Sequence, residues 1–148
     1  MKKSIIVFMM IVLLLFSGCS SDGGSSSKTR NYVDGTYTGR SSDFQEDESG
    51  NGSGYGVVEI EVKDNKIVAC IFTMYELDST LKDESYGADL SKENRLKAQK
   101  AVQSAVKYAD MLVKSGSLDG IDAISGATIS YNEFLEAVND ALSQAVSD

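Results

Sequence analysis

Between residues 57 and 75 apolar and polar positions alternate so regularly that the chain reads as two strands. Val58, Ile60 and Val62 interleave with Glu59 and Glu61, which defines one apolar and one wet face. The polar step "KDNK" turns the chain, and residues 67–75 return as a second strand with Val68, Cys70, Phe72 and Met74 expected on its apolar face. Ahead of this hairpin, "YVDGTYTGR" contains a turn at Asp34 and Gly35 and a short β-prone run around Tyr37. The glycine-rich, polar "SSDFQEDESGNGSGYG" between them reads as a loop.

The second half of the chain changes period. Ser91 is placed to cap a helix over residues 92–114, whose Ala98, Val102, Ala105, Ala109 and Leu112 recur at four-three spacing as an inward stripe. Gly116 supplies the stop. A last helix is expected to begin at Ser130, where "SYNE" sets Glu133 three residues after the serine as a capping box. Phe134, Leu135, Val138, Leu142 and Ala145 then form its buried side. The pattern predicts an α+β domain: a small antiparallel sheet with a central hairpin, covered by two helices.

The N-terminus follows different rules. Lys2 and Lys3 precede an apolar run over residues 5–16, followed by "SGC". A basic start, a short apolar stretch and small residues read as a secretory signal. As a helix the run would span about 18 Å, short of the roughly 30 Å of a hydrocarbon core. A buried core helix is the competing reading, and no polar face interrupts the run to support it. "LLFSGC" resembles the lipobox of bacterial lipoproteins, with Phe16 where leucine is more usual; the resemblance implies lipid attachment at Cys19 and a membrane anchor. Residues 1–18 are thus expected to be a lipoprotein signal peptide, 19–30 a Ser/Gly-rich tether reaching roughly 17 Å, and 31–148 the folded domain.

Charge and residue counts narrow the chemistry. The chain has 14 basic and 22 acidic residues, net −8. Losing Lys2 and Lys3 with the signal leaves 12 basic against 22 acidic, net −10. Such a domain does not bind nucleic acid by neutralising phosphates. Beyond Cys19 only Cys70 remains, so no internal disulfide forms, and its place in an apolar strand face marks it as a core residue rather than a reactive thiol. Histidine is absent altogether, which removes Ser-His-Asp and Cys-His catalysis, histidine metal sites and histidine haem ligation. Any redox or group-transfer chemistry must come from a cofactor. A catalytic enzyme in its own right is the least favoured class, because nothing here builds an acid–base pair.

One segment points to that cofactor. In "DAISGATIS", residues 122–130, a Gly-Ala step lies between hydroxyl residues just before a helix. Unpaired N–H groups and the helix dipole favour an anion there, and Gly126 and Ala127 leave room for a bulky group beside Thr128. The same residues also fit a plain helix-start loop whose Ser and Thr satisfy local backbone groups.

The segment resembles the flavinylation motif of the FMN-binding domain family, which includes the C subunit of the sodium-translocating NADH:quinone reductase, the G subunit of the Rnf complex and extracytoplasmic flavoprotein lipoproteins. Asp122, Ser125, Gly126, Ala127, Thr128 and Ser130 match its acid, hydroxyl, Gly-Ala and hydroxyl positions. "DGTYTGR" and "GYGVVEIEVKDNKIVAC" are similar to the family's opening strand and hairpin. The resemblance implies FMN joined to Thr128 by a phosphoester, installed by an FAD:protein FMN transferase using FAD and magnesium. Ser125, Thr128 and Ser130, with nearby backbone N–H groups, would then hold the phosphodiester, with Gly126 and Ala127 as further cofactor-binding positions. Asp122 would serve recognition by the transferase, because a carboxylate beside a phosphate repels it. The chain departs from the family at "LKDESYG", where many members carry a "PGIG"-like turn; proline is absent throughout.

The flavin ring needs an aromatic or apolar slot. Tyr37, Tyr55, Met74, Tyr75, Tyr86 and Tyr131 are candidates for its wall, and Gly54 and Gly56 flank Tyr55 where backbone could approach a ring. The expected function is a membrane-anchored extracytoplasmic flavoprotein relaying electrons from a quinol- or NADH-linked membrane donor to an extracytoplasmic acceptor. Two alternatives remain: a surface lipoprotein that uses the fold as a binding or interaction module without flavin, and a protein that binds FMN reversibly.

Overall fold

The computed structural model describes residues 31–48 and 50–146; the signal, Cys19 and the tether expected over residues 1–30 lie outside them. Three strands form one antiparallel sheet in the order β1 (Gly35–Arg40), β2 (Tyr55–Lys63), β3 (Lys66–Tyr75). Two helices follow, α1 (Lys92–Ser115) and α2 (Thr128–Ala145). Helix α2 lies over β1 and β2, and α1 over β3. The α+β class and its two covering helices are as the periodicity predicts.

The hairpin forms as read, with one revision of register. Asp64 and Asn65 connect β2 to β3 with φ of 50° and 61°. Positive φ at both loop residues gives the primed turn whose twist suits a hairpin, and Asp and Asn adopt it at low cost. Val58, Ile60 and Val62 are buried on the inner face. On β3 the inner set is Ile67, Phe72 and Met74, with Cys70 half-buried, while Val68 is exposed. A bulge opposite Glu61 and Val62 explains the correction: Val62 pairs with Ile67 and Glu61 with Ala69, so Val68 is the extra residue and alternation restarts beyond it.

Helix α1 keeps its expected caps. Ser91 Oγ accepts from Asn94 N at 3.3 Å, and Gly116 closes the helix at φ 72° with its N–H on the Leu112 carbonyl. Its buried stripe includes Ser104 and Tyr108 beside the expected alanines, whereas Val102 is half-buried. Tyr108 stacks on Phe134 of α2 at 5.4 Å, and Phe134 meets Phe72 edge-on at 5.1 Å, which locks both helices and the sheet through three rings.

Close approach elsewhere relies on small residues. A Cβ on Gly39 of β1 would overlap the Ala137 carbonyl and the Ala141 backbone, so strand and helix touch main chain to main chain. The termini of the domain are tied together, with Val33 N donating to Ala145 O at 2.8 Å. Among the described residues, no helix is long and apolar enough to cross a membrane.

Candidate functional site

At one end of the sheet the elements do not close, leaving a cleft of about 600 Å³. Its walls come from the loop over residues 50–53, the segment after β3, the first turns of α1 and the start of α2. This volume is in the usual range for a small-molecule site.

The motif loop supplies one wall. Ala127 N donates to Ile124 O at 2.9 Å across a tight turn, and Gly126 takes φ 76° there, a conformation glycine adopts without Cβ strain. Tyr108 pins this turn from inside: its Oη accepts from Ile124 N at 2.8 Å and donates to Ala127 O at 3.4 Å. A Cβ on Gly126 would sit 3.0 Å from Lys100 Nζ, so a lysine of α1 lies directly over the bare backbone.

Helix α2 starts earlier than its sequence implied, with its N-cap moved three residues from Ser130 to Ala127. Thr128 is its first residue and Ala127 its N-cap, with no side-chain hydrogen bond capping the end. The expected capping box at Ser130 and Glu133 does not form. The turn at Gly126 delivers the chain straight into helical conformation, so Ser130 falls inside the first turn, buried, and Glu133 in the second. The consequence favours an anion. The first-turn N–H groups have no partner four residues back in the helix, and here no side chain covers them, beside an exposed threonine hydroxyl.

The structure separates the expected site residues. Gly126, Ala127, Thr128 and Ser130 line the cleft together with Tyr86 and Met74. Asp122 and Ser125 are exposed on the same loop but are not part of its lining. Tyr55 and Tyr75 stack on each other at 5.4 Å, with the Arg40 guanidinium 3.8 Å over the Tyr55 ring. Strand alternation sets Tyr55 opposite in facing to the buried Gly56 and Val58, and it does not line the cleft. Tyr37 donates to Val33 O and Tyr131 to Ile121 O, each packed against the core. Gly56 lies beneath the cleft floor, where a Cβ would come 3.1 Å from Glu133 Cβ.

Two charged side chains in the cleft had no functional signal in the sequence. After β3 the chain doubles back, with Lys82 N donating to Met74 O at 2.9 Å, and this brings Lys82 to the cleft with only 8% exposure. Its ammonium sits 5.1 Å from the centre of the Tyr86 ring. Burial pulls the Lys82 ammonium below the usual lysine range, against the attraction of Glu133 and Glu76. Glu133 is 5% exposed, and burial pushes its carboxyl above the usual carboxylate range, with Lys82 opposing and Glu136 adding to the rise. The "LKDESYG" segment that departs from the family pattern forms this wall, held to α1 by Gln99 Nε2 donating to Tyr86 O at 2.7 Å.

The residues present fit an anionic aromatic cofactor. An uncapped helix start, the bare backbone of Gly126 and the ammonium of Lys100 suit a phosphate; Tyr86 and Met74 offer a wall to a ring; Lys82 and Glu133 supply polar anchors deeper in. Among the described residues no cluster of His, Cys, Asp or Glu could hold a metal ion.

Comparison with known proteins gives the family. The profile of the FMN-binding domain matches residues 51–143, and the chain belongs to that family. The class is therefore a flavin-binding domain, with FMN as its cofactor. Among solved structures, the CPE2226 protein from Clostridium perfringens is similar over 77% of this chain and 88% of its own, with 23% identity and a TM-score of 0.57, a likeness of fold. No curated protein matches the chain.

Proposed function

We propose that this protein is an electron carrier whose FMN is joined covalently to Thr128. The observation that carries the reading is the position of Thr128: it is the first residue of an uncapped helix, exposed at the mouth of the cleft. An FAD:protein FMN transferase would present FAD with magnesium. Thr128 Oγ1 then forms a bond to the phosphorus of the FMN half, the pyrophosphate bond breaks, AMP leaves, and the hydroxyl proton passes to the transferase side. Asp122 and Ser125, exposed on the loop, are available for contact with that enzyme. The first-turn N–H groups of α2 and Lys100 hold the resulting negative charge.

When bound, the flavin supplies one- or two-electron chemistry that no side chain of this domain can provide. Covalent attachment suits an extracytoplasmic site, where a dissociated cofactor is diluted and lost. In this reading Cys19 carries the lipid, residues 19–30 form the tether, and the domain passes electrons from a quinol- or NADH-linked membrane donor to an extracytoplasmic acceptor.

The test is the intact mass of the exported chain co-expressed with the transferase, beside Thr128→Ala. A gain equal to FMN less one water, absent from the variant, supports the reading. No gain, with the transferase active on a control substrate, leaves reversible FMN binding or a flavin-free binding module as the account.

A further inference from the structure

Lys82 and Glu133 are both buried in the cleft; among the described residues Lys82 has only the Tyr86 ring as a close partner, and Glu133 is left incomplete by the protein. Glu133 Oε1 is buried with no hydrogen-bond partner, and the ion pairs among the described residues, Arg40–Asp43 and Lys97–Glu93, do not include either group. Each is seated against a glycine. Lys82 Nζ rests on Gly54, where any Cβ would collide with it, and Glu133 Cβ lies over Gly56. The two glycines flanking Tyr55 thus make room for one buried cation and one buried carboxyl in the lining of the same cleft, not paired with each other.

Buried charges of this kind are costly unless something pairs them. The complementary partner offers a hydrogen-bond donor to the carboxylate and, next to it, an acceptor to the ammonium. An imide edge, with an N–H between two carbonyl groups, has that order of atoms. We propose that Glu133 and Lys82 form a clamp for the imide edge of the flavin ring, Glu133 accepting from the ring N–H and Lys82 donating to the adjacent ring oxygen. Glu133 shares a helix face with Ser130, three residues before it and also in the cleft lining, so the anchor is continuous with the start of α2. The clamp rests on the reading of this cleft as the FMN site, and it is independent of covalent attachment at Thr128.

The experiment uses the full chain carrying Thr128→Ala and measures equilibrium binding of free FMN and of its N3-methyl analogue by quenching of flavin fluorescence. The analogue blocks the imide N–H and leaves the protein cleft unaltered. Binding of the analogue weaker by at least about tenfold is expected, and adding Glu133→Met should abolish the difference while thermal unfolding shows the variant folded. Lys82→Met should weaken both ligands. Equal binding of the two ligands, discrimination that survives Glu133→Met, or no binding of either up to millimolar concentration overturns the clamp. The mass measurement on the unmutated chain is separate: a mass gain without discrimination removes the clamp and keeps Thr128, and discrimination without a mass gain does the reverse.

Discussion

Helix α2 is two different structures along one axis. From Phe134 to Ala145 its inward residues are apolar, fully buried and packed on β1 and β2. From Thr128 to Glu133 its inward residues are Ser130 and Glu133, buried as deeply but polar, and facing a cleft. The first part is built from satisfied contacts and holds the fold. The second leaves helix N–H groups uncapped and a carboxyl oxygen unpartnered, which lowers stability and leaves chemical capacity for a ligand.

The contrast can be broken most forcefully at its apolar end. Phe134→Ala removes the ring that Tyr108 and Phe72 both pack against and should destabilise the domain by about 3–5 kcal/mol. Urea denaturation reads this directly; a loss under about 1 kcal/mol would mean the aromatic cluster is not the anchor of the fold. Next in size is Tyr108→Phe, which keeps the ring and deletes only the hydroxyl that holds Ile124 N and Ala127 O. It should cost about 1 kcal/mol by leaving the part-buried Ile124 N–H without its partner, and, with FMN attached as proposed, it should slow transfer to Thr128 by loosening the turn. A stability loss with an unchanged transfer rate would show that the core does not position the motif.

The polar end is sharpened by pH. The folded state holds a proton on Glu133 that the unfolded chain has already released, so stability falls as pH rises through the ordinary carboxylate range toward the raised value. Lys82 acts in the opposite sense at the alkaline end: its lowered value makes the fold gain stability as pH climbs toward the ordinary lysine range. Glu133→Gln should flatten the acid-side decline in a series of urea midpoints against pH; an unchanged slope would assign the decline elsewhere. The smallest effect belongs to the sheet. Burial pushes the Cys70 thiol up to about 12, so iodoacetamide at pH 8 should leave Cys70 unmodified in the native protein and alkylate it only after unfolding, as peptide mapping would read. Prompt labelling of Cys70 in the native protein would show that this strand opens readily.

Tyr55 marks the limit of reading neighbours in sequence as neighbours in space. Its flanking glycines do shape the cleft, but strand alternation turns Tyr55 itself toward Tyr75 and Arg40. Tyr108 was legible in principle, since it falls three residues after Ala105 and four before Leu112 on the same stripe. Lys82 carried no local signal, because its burial depends on a chain reversal that only packing against β3 establishes.

The sequence by itself determined what depends on contacts a few residues apart. The hairpin and its turn, the two caps of α1, the apolar stripes apart from the half-buried Val102 and Leu135, and the "DAISGATIS" motif are set by alternation, φ preference and short-range hydrogen bonds. Tertiary structure decided where distant segments meet: the bulge at Val68, the start of α2 at Thr128, and the arrival of Lys82 beside Glu133 over two glycines. Register and burial belong to pairs of segments, and each partner alone is compatible with several arrangements; only packing the whole domain selects one.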